Sequence, residues 1–482
     1  MTPRPALSTS LGFEDKLWVA ADLLRGSLDP AEYKHVLLGL LFLKSASTSG
    51  RFTVPERAQW STLVDTLEAP ALAKRLDTAL EALERANAHL SGALPPRFHR
   101  AGLEERSLAQ LLQLVASLLP SEDNASQDTL GRVYEYLIGR FASAEGRGGG
   151  EFYTPACVVQ LLVELLQPFE GSVYDPCCGS GGMFVQSLRF IAAHGGDSSA
   201  VRVYGQESNP GTWRMAQMNL ALRGIRAELG ERPADTLHEN LHPSLVADTV
   251  LANPPFNISR WGAEALRGDP RWSHGLPPDS NANFAWLQHI LHHLSPTGTA
   301  GVVLSNGSLS GTHSGEGTLR RALIEADLVE GVVALPEQLF YATAIPACVW
   351  LLAPGKGRDA HRDRRGEILF VDASRWGHME TRTHRVLSQD EITRIAGALR
   401  RWRDPRGGYQ DEPGFCRSAP ISEVLGQEGI LTPGRYVGAP PVTEASDSTD
   451  LALLIQTLRE QQQEAAVLDQ AIEQTLASLE RD

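Results

Sequence analysis

Val173-Tyr174-Asp175-Pro176-Cys177-Cys178-Gly179-Ser180-Gly181-Gly182 is the stretch on which the reading of the fold turns. Its β-branched and aromatic start reads as a strand ending at Asp175. A glycine-rich loop follows, and helical periodicity takes over from Gly182. Glycine loops of this kind bring backbone close to a ligand, since glycine lacks a Cβ and tolerates unusual φ. In a parallel sheet that ligand sits at the carboxyl ends of the strands. Two nucleotide-binding loops are excluded by the next residues. A P-loop requires Lys-Ser or Lys-Thr where Met183-Phe184 stand. A dinucleotide fingerprint requires Gly or Ala at the position of Phe184.

Outward from this loop, short β-branched runs alternate with helical stretches. Strands are expected at 172–174, 202–206, 249–252, 300–304, 328–334, 348–352 and 368–371, and helices at 154–166, 182–194, 211–222 and 284–294. That alternation predicts an α/β fold: a doubly wound, Rossmann-like and mainly parallel sheet covered on both faces. Upstream, residues 14–25, 30–43, 71–90, 108–119 and 129–141 repeat apolar residues at three- and four-residue intervals, which predicts an all-α domain. Gly146 and Gly148, Gly149 and Gly150 form a joint between the two. At the far end Leu451, Leu458, Ala465, Ile472 and Leu479 recur every seven residues, the mark of one long helix with a narrow apolar seam that needs a partner. The expected division is 1–145, 146–440 and 441–482.

Two carboxylates follow the glycine loop in order. Glu207 ends the next strand and can accept both ribose hydroxyls of a nucleoside; Asp235 follows the third strand region and can hold an adenine edge. Taken singly, each would normally read as a solvated loop carboxylate; it is their order after a glycine loop that points to the functional reading. The motif that decides the chemistry is Asn253-Pro254-Pro255-Phe256, directly after an apolar strand. An exocyclic adenine nitrogen is a poor nucleophile because its lone pair is delocalised into the ring. A site that alkylates it must accept hydrogen bonds from both N–H groups, which the Asn253 side-chain carbonyl and the Pro254 backbone carbonyl can do together. The prolines preset that geometry. Phe256 offers a face for a flipped base. The bland alternative is an ordinary strand-to-loop turn opened by Asn-Pro.

Residues 175–182 and 253–256, in this order, resemble the cofactor and catalytic motifs of N6-adenine DNA methyltransferases. Gly150-Glu151-Phe152-Tyr153-Thr154-Pro155, Tyr204-Gly205-Gln206-Glu207, Asn283-Phe284-Ala285-Trp286-Leu287-Gln288-His289 and Ile345-Pro346-Ala347-Cys348 narrow the likeness to the methylation subunit of type I restriction-modification systems. The start, Phe13-Glu14-Asp15-Lys16-Leu17-Trp18 with 21–26, resembles that family's N-terminal helical domain. The resemblance implies S-adenosylmethionine as cofactor, held by Glu151, Phe152, Tyr153, Thr154, Pro155 and Ala156 before the first strand. Asp175, Gly179, Ser180, Gly181, Gly182, Glu207 and Asp235 complete the set. It implies double-stranded DNA as substrate, with Asn253, Pro254, Pro255 and Phe256 on the target adenine and no metal. It also implies a specificity subunit flanked by two methylation subunits, which a restriction subunit can join. Cys177 stands where alanine is more familiar, and 44–47 lacks the bulky residues expected there.

The charge predicts help with DNA binding rather than absence of it. The 482 residues carry 44 Lys and Arg against 58 Asp and Glu, a formal charge of −14, which disfavours unaided binding to a polyanion. Basic clusters at 358–365 and 394–403 are candidates for phosphate contact, though a solvated loop is the commoner role. Only residues 257–282 separate Phe256 from Asn283, too few for a recognition domain, so specificity is expected in another chain. Five scattered cysteines read as free thiols. No stretch approaches the roughly 18–20 apolar residues of a bilayer span, and a cytoplasmic protein is the expectation. His289, His292 and His293 read as helix-surface histidines, and Phe284 and Trp286 as core. Action on RNA bases or a protein glutamine amide, and a non-catalytic scaffold that keeps the cofactor pocket, are the competing readings.

Overall fold

The computed structural model describes residues 30–94, 98–101, 104–118, 137, 154–312, 315–340, 344–357, 361–439 and 459. Two compact units are present, Met1–Val437 and Gly438–Asp482. The expected helices at 14–25 and 129–141 and the tail helix at 449–480 lie outside the described residues, except for Leu137 and Arg459, which are helical.

The first unit is built on a nine-stranded sheet. Its members are β1 (Gly171–Asp175), β2 (Val201–Gly205), β3 (Ala227–Glu228), β4 (Ala247–Ala252), β5 (Leu294–Ser305), β6 (Val329–Ala334), β7 (Ala347–Leu352), β8 (Glu367–Asp372) and, after a small β9–β10 ribbon (His378–Met379, Arg385–Val386), β11 (Cys416–Pro420). The spatial order is β11-β8-β6-β7-β5-β4-β1-β2-β3. Five of its pairings are parallel, whereas β7 runs antiparallel between β5 and β6 and β11 runs antiparallel on β8. Every residue of β6 and β7 is buried, as in strands covered on both faces; β7 is apolar throughout, whereas β6 carries Glu330. The α/β class is therefore as the alternation of the sequence implies. β11 escaped that reading because Arg417 and Ser418 interrupt its apolar run and it ends in a proline, which only an edge strand tolerates.

The helices are α1 (Pro30–Thr48), α2 (Trp60–Asp65), α3 (Leu72–Ala86), α4 (Glu105–Leu118), α5 (Ala156–Leu166), α6 (Gly182–Ala193), α7 (Pro210–Leu222), α8 (Asn283–His293), α9 (Glu316–Glu325) and α10 (Gln389–Arg403), with shorter turns between. One sheet face packs on α5, α6 and α10, the other on α8 and α9. The front helices α1 to α4 close a separate core whose floor is Met215, Met218 and Leu222 of α7. Lys44 is buried there, and its ammonium donates to the carbonyls of Val115 and Ala116 at 3.1 and 2.9 Å in the last turn of α4. Those carbonyls have no intrahelical partner, so a lysine fills the place where bulk was expected. Burial lowers its ammonium pKa to about 8.

Candidate active site

The neighbouring parallel strands β1 and β4 pair Val173 with Thr249 and Tyr174 with Val250, so Asp175 and Asn253 leave the sheet at the same end. One cleft is lined there by Thr154, Ala156, Val159, Asp175, Cys177, Cys178, Gly179, Ser180, Gly182, Met183, Gln186 and Asn253. The glycine turn and the Asn-Pro-Pro-Phe motif thus meet, although 70 and more positions separate them in the chain.

Gly181 adopts φ +78°, and a Cβ there would press on the Leu220 side chain at 3.3 Å, so only glycine fits both the turn and α7. The Cys178 N–H donates to Gln206 O at 2.9 Å, and the Gly179 N–H donates to Glu207 Oε2 at 3.1 Å. Glu207 Oε1 also accepts the Asn209 N–H at 2.8 Å. Glu207 is therefore tied to the glycine turn, beside the cleft rather than in its wall. Asp235 stands farther out: its carboxylate accepts from Leu237 N–H at 3.0 Å and lies 2.8 Å from His238 Nδ1, capping its own turn. Asp175 is 1 % exposed and accepts the Cys177 N–H at 3.0 Å. Burial, reinforced by the nearby Glu207, lifts its carboxyl pKa to about 7.

Asn253 is buried and polarised from one side. Its Nδ2 donates to Thr154 Oγ1 at 2.8 Å, which turns Oδ1 the other way, and that oxygen is buried without a hydrogen-bond partner. Pro254 is buried, while Pro255 and Phe256 are half-buried; Phe256 meets Phe340 edge to face, with ring centroids 5.5 Å apart. Of the lid residues, Glu151, Phe152 and Tyr153 lie outside the described residues; Thr154 and Ala156 line the cleft, and Pro155 caps the start of α5.

Sequence reasoning gave no role to the support behind this motif. Asn257 takes φ +55°, its N–H donates to Asn283 Oδ1 at 3.1 Å, and its own Oδ1 accepts from Asn283 Nδ2 at 2.9 Å and Ser305 Oγ at 3.0 Å. Asparagine tolerates the left-handed region, which is the one local signal available. Two expectations are corrected. His289 and His293 are not on the surface but fully buried, with Tyr174 and Arg271 around His289, and Asn240 and the Leu245 carbonyl around His293; His292 alone is exposed. Burial drives the His289 pKa well below its usual range and that of His293 to about 4, so both are neutral. Of the described arginines in the two basic clusters, Arg364 and Arg403 are buried and serve the fold by pairing with Glu330, while Arg362 pairs with Glu367, Arg394 and Arg401 with Glu412, and Arg400 with Glu164. Phe284 and Trp286 are core.

The residues present fit a nucleoside-bearing methyl donor. A Cβ at Gly179 or Gly182 would meet no protein atom within 4 Å, so these glycines border open space in the cleft, and the orphan Asn253 Oδ1 awaits a donor.

Comparison with known proteins agrees with this geometry. Residues 125–445 match the family model for N-6 DNA methylases, and residues 13–50 match the HsdM N-terminal domain. The HindI type I restriction enzyme methylase subunit of Haemophilus influenzae is 43% identical over 420 residues, covering 85% of this chain and 93% of that one. The chain belongs to the N-6 DNA methylase family, as a type I restriction methylase subunit. The MjaIX methylase subunit of Methanocaldococcus jannaschii is 32% identical over 476 residues, covering 88% and 84%. The type I methyltransferase subunit from Streptococcus thermophilus superposes with a TM-score of 0.76 at 25% identity over 89% of this methylase and all of that chain. The methylase is accordingly an adenine-specific DNA methyltransferase. Among its described residues no helix is long and apolar enough to cross a membrane.

Proposed function

We propose that this methylase modifies adenine N6 in double-stranded DNA at the cleft where Asn253 faces the glycine turn, with S-adenosylmethionine as donor. The observation that carries the reading is the Asn253 amide: Thr154 holds its nitrogen, and its buried oxygen lacks a partner. A buried acceptor without a donor costs roughly 1–3 kcal/mol, and an incoming amino group relieves that cost. Asn253 Oδ1 and the Pro254 carbonyl accept the two adenine N–H groups and localise the nitrogen lone pair, Pro255 keeps the backbone preset, and Phe256 stacks on the flipped base. S-adenosylmethionine supplies the electrophilic sulfonium methyl. Ser180, Gly181 and Gly182 leave room for it, Glu207 accepts its ribose hydroxyls, and Asp235 faces its adenine edge, with residues 151–156 closing over it.

Sequence selection is assigned to a separate specificity subunit flanked by two copies of this methylase, with a restriction subunit able to join, all in the cytoplasm. Residues 441–482 are assigned to docking on the specificity subunit, beside a helical front at 1–145 and a catalytic body at 146–440. The test is labelled methyl transfer by the assembled complex, offered DNA, RNA and protein side by side. Label on DNA adenine, lost in Asn253→Ala with donor binding kept, is expected; label on RNA or protein, or none, overturns the reading. A chain ending at residue 440 is expected to lose its specificity subunit on co-purification.

A further inference from the structure

The loop between Phe256 and α8, residues 257–282, is a closed body. Its ends join where the Ala282 N–H donates to Ile258 O at 2.9 Å. The Gly262 and Ala263 N–H groups share the Asp279 carboxylate at 2.9 and 3.0 Å, and Trp261 meets Trp272 edge to face. A loop whose ends are close and whose own side chains pack its interior is a compact body. Its inner side is joined to the turn at 235–238. Leu237 is buried in the loop's own apolar cluster with Trp261 and Trp272. Gly262, at φ +84°, comes so near that a Cβ there would stand 2.6 Å from His238 Nε2.

Arg271 closes this joint. It is 6 % exposed, and Asp269 grips it through Nε at 2.8 Å and Nη2 at 2.7 Å. The guanidinium then donates to the carbonyls of Thr236 at 3.2 Å and Leu237 at 2.5 Å. Thr236 Oγ1 passes the restraint on, donating to Pro176 O in the glycine turn at 2.5 Å. The carboxylate of Asp235 is oriented by the Leu237 N–H of the same turn. A buried guanidinium held in a fork has little freedom, so the carbonyls it meets have little either.

We propose that Arg271 is a positioning residue for S-adenosylmethionine: from the loop that follows the base-binding motif, it holds the turn carrying Asp235 in place for the nucleoside. This rests on the assignment of the cleft to that donor and extends it to a residue outside the cleft. The test uses the assembled complex with Arg271→Met, Arg271→Lys and Thr236→Val, titrated with S-adenosylmethionine and assayed with donor and DNA varied separately. In Arg271→Met, Kd and KM for the donor are expected to rise about tenfold, while kcat at saturating donor and KM for DNA stay within about twofold. Arg271→Lys is expected to fall between, since an ammonium reaches one carbonyl but cannot make the fork. Thr236→Val is expected to weaken donor binding in the same sense. Unchanged donor affinity in Arg271→Met, or equal loss of donor and DNA affinity, overturns the proposal. If Arg271→Met does not fold, Thr236→Val decides alone. A wild-type complex that does not bind the donor would instead sink the cofactor assignment.

Discussion

Two buried carboxylates at opposite ends of the sheet show how differently this protein treats the same chemical group. Glu330, at the amino end of β6, is fully buried and accepts from Arg364 Nε at 3.1 Å and Arg403 Nε at 2.9 Å, with Arg403 Nη2 on its second oxygen. Burial alone would raise its pKa, but the two guanidinium groups hold it below the usual carboxylate range. Asp175, at the carboxyl end of β1, is equally hidden yet forms no ion pair among the described residues, and its pKa rises to about 7. Beside it Asn253 Oδ1 has no partner. The amino end is electrostatically complete and serves stability; the carboxyl end is left incomplete, as a site that must recognise a ligand has to be.

Removing a partner at the complete end should have the largest effect. Glu330→Gln leaves two buried guanidinium groups without their counter-charge, and stability measured by urea unfolding is expected to fall by about 3–5 kcal/mol, while methylation per folded molecule is unchanged. A loss below about 1 kcal/mol would erase the contrast. At the incomplete end Asn253→Ala should do the reverse: kcat drops by a factor of about 10²–10³ with the melting temperature preserved.

Asp175→Asn sharpens the contrast through pH. Because the folded pKa, about 7, lies above the ordinary 3.8, the folded state holds a proton that the unfolded chain releases between those values. Its contribution is fully present below about 4 and is lost as pH rises through about 7. The neutral asparagine removes that loss. Wild type should therefore lose roughly 2 kcal/mol more than the variant between pH 5 and 8, as read by denaturation at each pH. Parallel profiles would show that Asp175 is ionised throughout. The smallest effect is expected from Thr154→Val, which frees the Asn253 amide to turn; kcat should fall about tenfold with donor affinity intact.

What could be read along the chain follows one rule. Strands that are apolar throughout, such as β7, or nearly so, such as β6 with its single Glu330, and helices with three- and four-residue periods announce themselves, because their burial leaves a pattern in the sequence. The order of glycine turn, Glu207 and Asn253-Pro254-Pro255-Phe256 was legible as well, since glycine and proline constrain the backbone locally. What stayed hidden depends on partners far away. Arg364 and Arg403 read as solvated or phosphate-contacting arginines until Glu330, 34 and 73 residues distant, is seen to claim them. His289 reads as surface until Tyr174, 115 residues away, and Arg271 enclose it. The sequence by itself determined the α/β class and the family. Only the tertiary structure decided which polar groups are satisfied and which are left open, because a hydrogen bond between distant residues leaves no periodic trace in either segment that makes it.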